Sequence, residues 1–367
     1  LKILNIVGAR PNFMKVAPLH QAFARYPNVL SKIVHTGQHT DPVMSDVFFD
    51  QLHLPKPDYS LCIGSRSTSG QTAEILGRLE ILLRTERPDL VVVVGDVTST
   101  LACALGAVQN GIPVAHVEAG LRSFDRTMPE EINRVLVDQL SDYLFVTEQS
   151  AVQNLMRERI AEEKIHFVGN VLIDTLIKNR EKATQYDLPT SMGLRKGAYV
   201  LVTLHRPSNV DTREDLEKGI EIIRKLGELT PVVFSVHPRT ERNLERYGLE
   251  KSLKQVSNLY LLPPQGYLPF LNLVMNATLV VTDSGGIQEE TTFLNIPCFT
   301  LRKSTERPVT TELGSNRLFP DFCWEALEEP VRNVVADGYT RKGAIPPLWD
   351  GRAAERIAQI IVTQMGS

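Results

Sequence analysis

The sequence predicts an α/β protein of two doubly wound parallel-sheet domains, and three observations predict it. Short β-branched runs alternate with amphipathic stretches along all 367 residues. Several runs, Val91–Val94 above all, are apolar throughout, which marks strands covered by helices on both faces. The strands fall into two series, parted by a polar, helical-looking stretch from Leu172 to Arg195 that contains Pro189 and Gly193. A chain of this length also exceeds what one core usually organises.

In order, the first series is Lys2–Val7, Lys32–Thr36, Leu90–Gly95, Pro113–Glu118 and Tyr143–Thr147. Between the second and third of these, Gln71–Arg87 places Ile75, Leu76, Leu79, Leu82 and Leu83 on one helical stripe. The second series is Ala198–Leu204, Pro231–Val236, Leu259–Leu262, Leu279–Thr282 and Pro297–Leu301. Strand–helix alternation of this kind means parallel sheets. The domains are expected at 1–171 and 172–351, facing each other across a cleft lined by loops at the carboxyl ends of their strands. A last helix from 352 carries Ile357, Ile360 and Ile361 along one side and is expected to pack back on the first domain.

Composition narrows the function. Forty basic against 43 acidic side chains leave a net charge of −3, which weakens a dedicated nucleic-acid reader. No apolar run approaches the roughly 18 residues that span a bilayer, and no secretory signal pattern opens the sequence. A cytoplasmic protein is expected. The four cysteines form no Cys-x-x-Cys pair, and three sit among apolar or small neighbours, which reads as buried free thiols.

Four clusters carry candidate chemistry. In TDSGGIQEE an apolar strand runs through Asp283 into Ser284, Gly285 and Gly286 and then a helix. Ser284 is a natural N-cap, and the glycines let an anion approach outward-facing N–H groups; Glu290 could then accept from ribose hydroxyls. An ordinary capped helix is the alternative. In GARPNFMK, Arg10 and Lys15 put cations near the first turns of another helix, where the dipole disfavours them unless they serve something; solvated surface charge is the alternative. Asp96, Glu118, Glu130 and Glu131 form an acidic group at adjacent strand tips. Carboxylates close enough to raise one another's pKa suit acid–base work, whereas Mg²⁺ binding or helix capping are the rivals, and Glu131 reads as structural. Finally, His205-Arg206 and His237-Pro238-Arg239 end strands of the second domain, His205 as a phosphate or leaving-group contact and His237 equally as a structural histidine. No spacing suggests zinc, and no Gly-x-Gly-x-x-Gly fingerprint exists.

The ordered set GARPNFMKVAPL, TGQH, VVVVGDVTST, HVEAGLRS, PEEINR, TLHRP, PQGYLPF, TDSGGIQEE and TERP resembles the non-hydrolysing UDP-N-acetylglucosamine 2-epimerases, nearly end to end. The resemblance implies two Rossmann-like domains in the glycosyltransferase-B arrangement, no cofactor, and a homodimer. It implies that Ser284, Gly285 and Gly286 hold the diphosphate, with Arg10 and Lys15 reaching it from the facing domain. Glu290 would bind the ribose, Gln265 and Phe270 the uracil, and Arg307 and His205 the remaining nucleotide and leaving-group contacts. Asp96, Glu118 and Glu130 match the proposed acid–base groups.

Chemistry agrees with that implication. C2 of a nucleotide sugar is not beside a carbonyl, so its inversion needs transient oxidation or elimination, and a nicotinamide fingerprint is missing. Elimination of UDP needs a base at C2 and cations for the departing diphosphate. The chain departs from the family pattern in places. Many members have HRRE where this chain has His205-Arg206-Pro207-Ser208, and TERPE where Val309 follows TERP. Thr40-Asp41-Pro42 follow TGQH, where some relatives bind an activating second substrate. The competing readings are a hydrolysing 2-epimerase releasing N-acetylmannosamine, a 2-epimerase of UDP-2,3-diacetamido sugars, a retaining glycosyltransferase and a nucleotide-sugar sensor.

Overall fold

The computed structural model describes residues 1–37, 54–65, 67–337 and 343–366. The chain divides into two compact units, Leu1–Lys178 with Pro347–Ser367, and Asn179–Pro346.

Among the described residues, the first unit has seven parallel strands: β1 Lys2–Val7, β2 Leu30–His35, β3 Tyr59–Ser60, β4 Leu90–Val94, β5 Val114–Ala119, β6 Tyr143–Val146 and β7 Ile165–Phe167. Their order across the sheet is β3-β2-β1-β4-β5-β6-β7. All of β4 is buried, as a strand of five consecutive apolar residues requires. The helices Thr68–Glu86, Thr98–Gln109 and Pro129–Leu140 follow β3, β4 and β5 and pack side by side. Their crossovers all run toward β7, so the right-handed rule puts the three on one face. Ile75, Leu79 and Leu83 seal this layer onto Leu4, Ile6, Val91 and Val93. The helix Arg10–Phe23 belongs to the reverse crossover, and the helix Ala353–Met365 packs against it. Ile357 and Ile361 of that last helix are buried. Its first N–H groups, on Ala353 and Ala354, donate to the Asp174 carboxylate at 3.2 and 2.7 Å, a cap supplied from elsewhere in the chain.

The second unit has six parallel strands among the described residues: β8 Val200–Thr203, β9 Val232–Ser235, β10 Leu259–Leu262, β11 Leu279–Thr282, β12 Cys298–Thr300 and β13 Asn316–Leu318. They are ordered β10-β9-β8-β11-β12-β13. Alternate residues serve opposite faces. Val200, Val202, Val232 and Phe234 meet Ile222, Leu226 and Leu327 on one side, and Leu201, Val233 and Val280 meet Leu273 and Ile287 on the other.

Three strands escape the sequence periodicity. β3, β7 and β13 are two or three residues long, too short for a repeat to register. The helix expected from Gln71 begins at Thr68, because the Ser67 hydroxyl accepts from the Gly70 N–H. It ends before Arg87, which takes the left-handed conformation ahead of Pro88. Only Cys103 and Cys298 are deeply buried; Cys323 is half-buried and Cys62 exposed, and all four are free thiols. No helix among the described residues is long and apolar enough to cross a membrane.

Each sheet changes its direction of growth once, between β1 and β4 in the first unit and between β8 and β11 in the second. The carboxyl ends of such strand pairs diverge and leave a crevice for ligands. Lys15, Asp96, His205 and Ser284 all follow one of these four strands.

Candidate active site

In the first unit three of the predicted carboxylates, Asp96, Glu118 and Glu131, are met by cations rather than by one another. Lys15, from the helix Arg10–Phe23, forms an ion pair with Glu118, and both side chains are almost completely buried. Gly95 makes this approach possible: at φ 68° it turns the chain after β4, and a Cβ there would stand 3.2 Å from the Lys15 ammonium. Arg10 opens the same helix. Asn12 ties this helix's entry to β4, its side chain accepting from the Gly8 and Ala9 N–H groups and donating to the Val94 carbonyl at 3.1 Å.

Asp96 is held by the helix Pro129–Leu140. Arg134 donates twice to its Oδ2, at 2.9 and 2.5 Å, and Asn133 donates to its backbone carbonyl at 2.7 Å. Glu131 accepts from the Ser123 and Phe124 N–H groups, both at 2.9 Å, and pairs with Arg134 at 2.7 Å, so it organises the loop after β5. Glu130 stays half-exposed in the first turn. Among the described residues no group of three or more His, Cys, Asp or Glu is arranged to hold a metal.

Glu118 is the strained member. Its φ of 74° lies in the left-handed region, where the pairing of β5 with β6 slips between Val117 and Ala119. A non-glycine residue there costs about 1–3 kcal/mol. The surroundings hold it, since the Gly120 N–H just beyond donates to buried Asp138 at 3.0 Å.

In the second unit Ser284 is the N-cap of the helix Gly285–Leu294, but its hydroxyl makes no capping bond. The half-exposed N-terminal turn therefore keeps its N–H groups available for an anion. Arg307 crowds this turn: a Cβ on Gly285 would lie 2.7 Å from its Nη1. Arg307 pairs with Glu289 at 3.0 Å and with Glu306, which also binds Arg302 at 2.6 Å. Arg206 reaches the same Glu306 at 4.0 Å. Three cations thus share two buried carboxylates at a helix N-terminus, a surplus matched to a multiply charged anion.

Asp283, fully buried, is what positions His205. It accepts from the backbone N–H groups of His205 and Arg206 and from the Asn209 amide, and sits 2.9 Å from His205 Nδ1. Burial works to raise its pKa, but the charge of and bond to His205, with the backbone donors, hold it below the usual carboxylate range. His205 therefore keeps a hydrogen on Nδ1 for Asp283 and has Nε2 left for a ligand. His237 is a helix cap, its Nδ1 accepting from the Arg239 N–H at 3.1 Å, with its ring 5.2 Å from that of His205.

Glu290 is buried beside Tyr267 and Glu289, and its Oε1 has no hydrogen-bond partner. Burial, opposed by the Tyr267 hydroxyl and reinforced by the charge of Glu289, pushes its pKa up to about 7. Gln265 precedes Gly266, the cap of the helix Tyr267–Met275, and Phe270 lies in the first turn of that helix. The Gln265 amide donates to the Pro263 carbonyl at 2.7 Å, and the half-buried Phe270 ring packs on the core that contains Ile287.

Tertiary pairing escapes the sequence: Arg134 on Asp96, Lys15 on Glu118, Asp283 under His205, and Glu289 and Glu306 around Arg307. The signal for Asp283 was present, since a lone acid ending an apolar strand must be buried with donors. Gln38 and His39 of TGQH, and Thr40, Asp41 and Pro42, lie outside the described residues.

Two doubly wound units, each with polar groups gathered where its sheet reverses, define the glycosyltransferase-B class of fold. A family model described as UDP-N-acetylglucosamine 2-epimerase matches residues 21–362. The chain is 42% identical, over 98% of its own length and 99% of the relative's, to a UDP-N-acetylglucosamine 2-epimerase of Methanocaldococcus jannaschii. It is 38% identical, over 98% and 99%, to a UDP-2,3-diacetamido-2,3-dideoxy-D-glucuronate 2-epimerase of Pseudomonas aeruginosa. The crystal structure of the M. jannaschii UDP-GlcNAc 2-epimerase in complex with UDP-GlcNAc and UDP superposes with a TM-score of 0.92 at 42% identity, covering 99% of this chain and 100% of that one. The chain belongs to the UDP-N-acetylglucosamine 2-epimerase family.

Proposed function

We propose that the protein interconverts UDP-N-acetylglucosamine and UDP-N-acetylmannosamine, by eliminating UDP and adding it back. The observation that carries this reading is the buried Lys15–Glu118 pair, with Glu118 held in a strained backbone. Folding alone gives no reason to place a charged residue there. A base takes the C2 proton, the C2–H electron pair becomes the C1–C2 double bond, and the C1–O pair leaves with UDP. The 2-acetamidoglucal then takes a proton on the opposite face of C2 as UDP re-adds at C1. Two faces need two acid–base groups, drawn from Asp96, Glu118 and Glu130. Lys15, held against Glu118, and Arg10 meet the charge that develops on the leaving diphosphate. In the second unit Ser284, Gly285, Gly286 and Arg307 bind the diphosphate, and the His205 ring, with a hydrogen on each nitrogen, donates from Nε2 to the bridging oxygen. Glu290 offers its unpartnered oxygen to the ribose, while Gln265 and Phe270 take the uracil.

The M. jannaschii name supports the N-acetylglucosamine substrate, and the P. aeruginosa name makes a 2,3-diacetamido sugar the second reading. Incubation with UDP-N-acetylglucosamine in D₂O, without nicotinamide or metal, followed by proton and phosphorus NMR, tests the proposal. UDP-N-acetylmannosamine deuterated at C2, with little free UDP, is expected. Stoichiometric N-acetylmannosamine and UDP would mean a hydrolysing enzyme. Turnover of the diacetamido sugar alone would move the substrate.

A cytoplasmic homodimer belongs to the same reading. Support for the dimer is the outer face of the three-helix layer, where Ile81, Ile132 and Leu136 are exposed. Light scattering after gel filtration should give twice the chain mass, and an Ile132→Lys variant should lower it.

A further inference from the structure

His116 is fully buried on β5, two residues before Glu118, and plays no part in the chemistry proposed above. Both ring nitrogens face acceptors. Nδ1 lies 2.6 Å from Asp138 Oδ1, and Nε2 lies 2.8 Å from the Gly95 carbonyl oxygen. Asp138 is itself fully buried and also accepts from the Gly120 N–H at 3.0 Å and Arg122 at 2.7 Å. Burial works to raise its pKa, but the charge of and bond to His116, together with Arg122, hold it below the usual carboxylate range. With a carboxylate on one side and a carbonyl on the other, the ring must donate from both nitrogens.

Gly95 is the residue before Asp96. Its own N–H donates to the Val117 carbonyl at 3.0 Å, so the turn after β4 is tied to β5 by two bonds, one from a backbone amide and one from a side chain. The helix Pro129–Leu140 completes the arrangement. Asn133 and Arg134 hold Asp96, and Asp138, one turn on, holds His116.

We propose that His116 is a positioning residue for the epimerisation: anchored by Asp138, it holds the Gly95 carbonyl and so sets where Asp96 stands relative to Glu118. The inference rests on the reading of Asp96 and Glu118 as acid–base groups. It places the histidine of HVEAGLRS behind the reacting groups, since its ring has no free nitrogen to give a substrate.

The test is a double-mutant cycle on kcat, with UDP affinity measured by calorimetry alongside. His116→Gln can donate to one partner but not to both. It should lower kcat about a hundredfold, the usual effect of an ångström of misplacement, and leave UDP affinity unchanged. In an Asp96→Asn background the same change should cost no more than about twofold, because the group it positions is already disabled. A His116→Gln enzyme as fast as the parent, or one whose loss is undiminished beside Asp96→Asn, overturns the inference. An Asp96→Asn enzyme of full activity overturns the reading beneath it, and the inference with it. Asp138→Asn covers a failure of His116→Gln to fold. Its amide donates to Nδ1 and leaves the Nε2–H bond to Gly95 in place, so kcat should stay within about tenfold of the parent. A loss as deep as that of Asp96→Asn, with UDP affinity intact, would refute the role of that bond.

Discussion

Glu290→Gln should make the ligand-free protein more stable in alkaline solution while weakening its grip on UDP. The Glu290 carboxyl titrates near 7 in the folded chain rather than at its ordinary 4.5. At ~1.4 kcal/mol per pH unit, that gap corresponds to about 3 kcal/mol. Because the folded pKa is raised, this group's contribution to stability is complete below about 4.5. It falls as the pH rises, and above about 7 it is gone. Glutamine keeps the shape without the charge, so its stability relative to the parent should climb by up to about 3 kcal/mol between pH 4.5 and pH 8. The two tryptophans make the measurement local, since Trp324 lies in the second unit and Trp349 in the first. Urea melts of Trp349→Phe proteins, read at Trp324, report the unit that holds Glu290. Calorimetry at pH 8 should show UDP binding weakened about tenfold or more, as expected when a ribose hydroxyl loses a charged acceptor. Parallel stability profiles for parent and variant between pH 4.5 and 8 would refute the reasoning, whatever happens to UDP.

Three further outcomes follow from the same geometry. Lys15→Met takes the counter-charge from buried Glu118, so the first unit should lose about 3–5 kcal/mol; Lys15→Met with Glu118→Gln should regain most of it without activity, as denaturation and turnover together will show. Gly285→Ala drives a methyl group against the Arg307 guanidinium and should weaken UDP binding at least about tenfold in calorimetry, because the cation beside the helix N-terminus must move. Asp283→Asn removes the charge that fixes the His205 ring; kcat should fall more than about tenfold and its pH profile shift, whereas an unchanged profile would detach His205 from the leaving group.

The fold was legible wherever a strand was long and apolar. β4 and β11 could be read directly, because a run of valines has no alternative to burial between helix layers. β3 and β13 could not, since their few residues are ordered by neighbours and not by their own pattern. Within the site, the tips of β4 and β5 were legible as carriers of carboxylates, but their partners were not. Lys15 and Glu118 are 103 positions apart, and only the order of strands in the sheet brings them together. Of the adjacent Glu289 and Glu290, one pairs with Arg307 and the other lies beside the Tyr267 hydroxyl. A rotation of 100° about the helix axis separates those roles, and no local pattern distinguishes them.

The Lys15–Glu118 pair also constrains how such a chain can decay. Once catalysis is no longer selected, replacing Glu118 by glycine would relax its backbone but strand a buried ammonium. Replacing Lys15 first would take the counter-charge from a buried carboxylate. Either single step passes through a less stable protein, so the strained position is guarded by its counter-ion. Gene copies drifting free of selection are expected to keep both residues or to lose both, and a copy holding only one should be the rare and unstable intermediate.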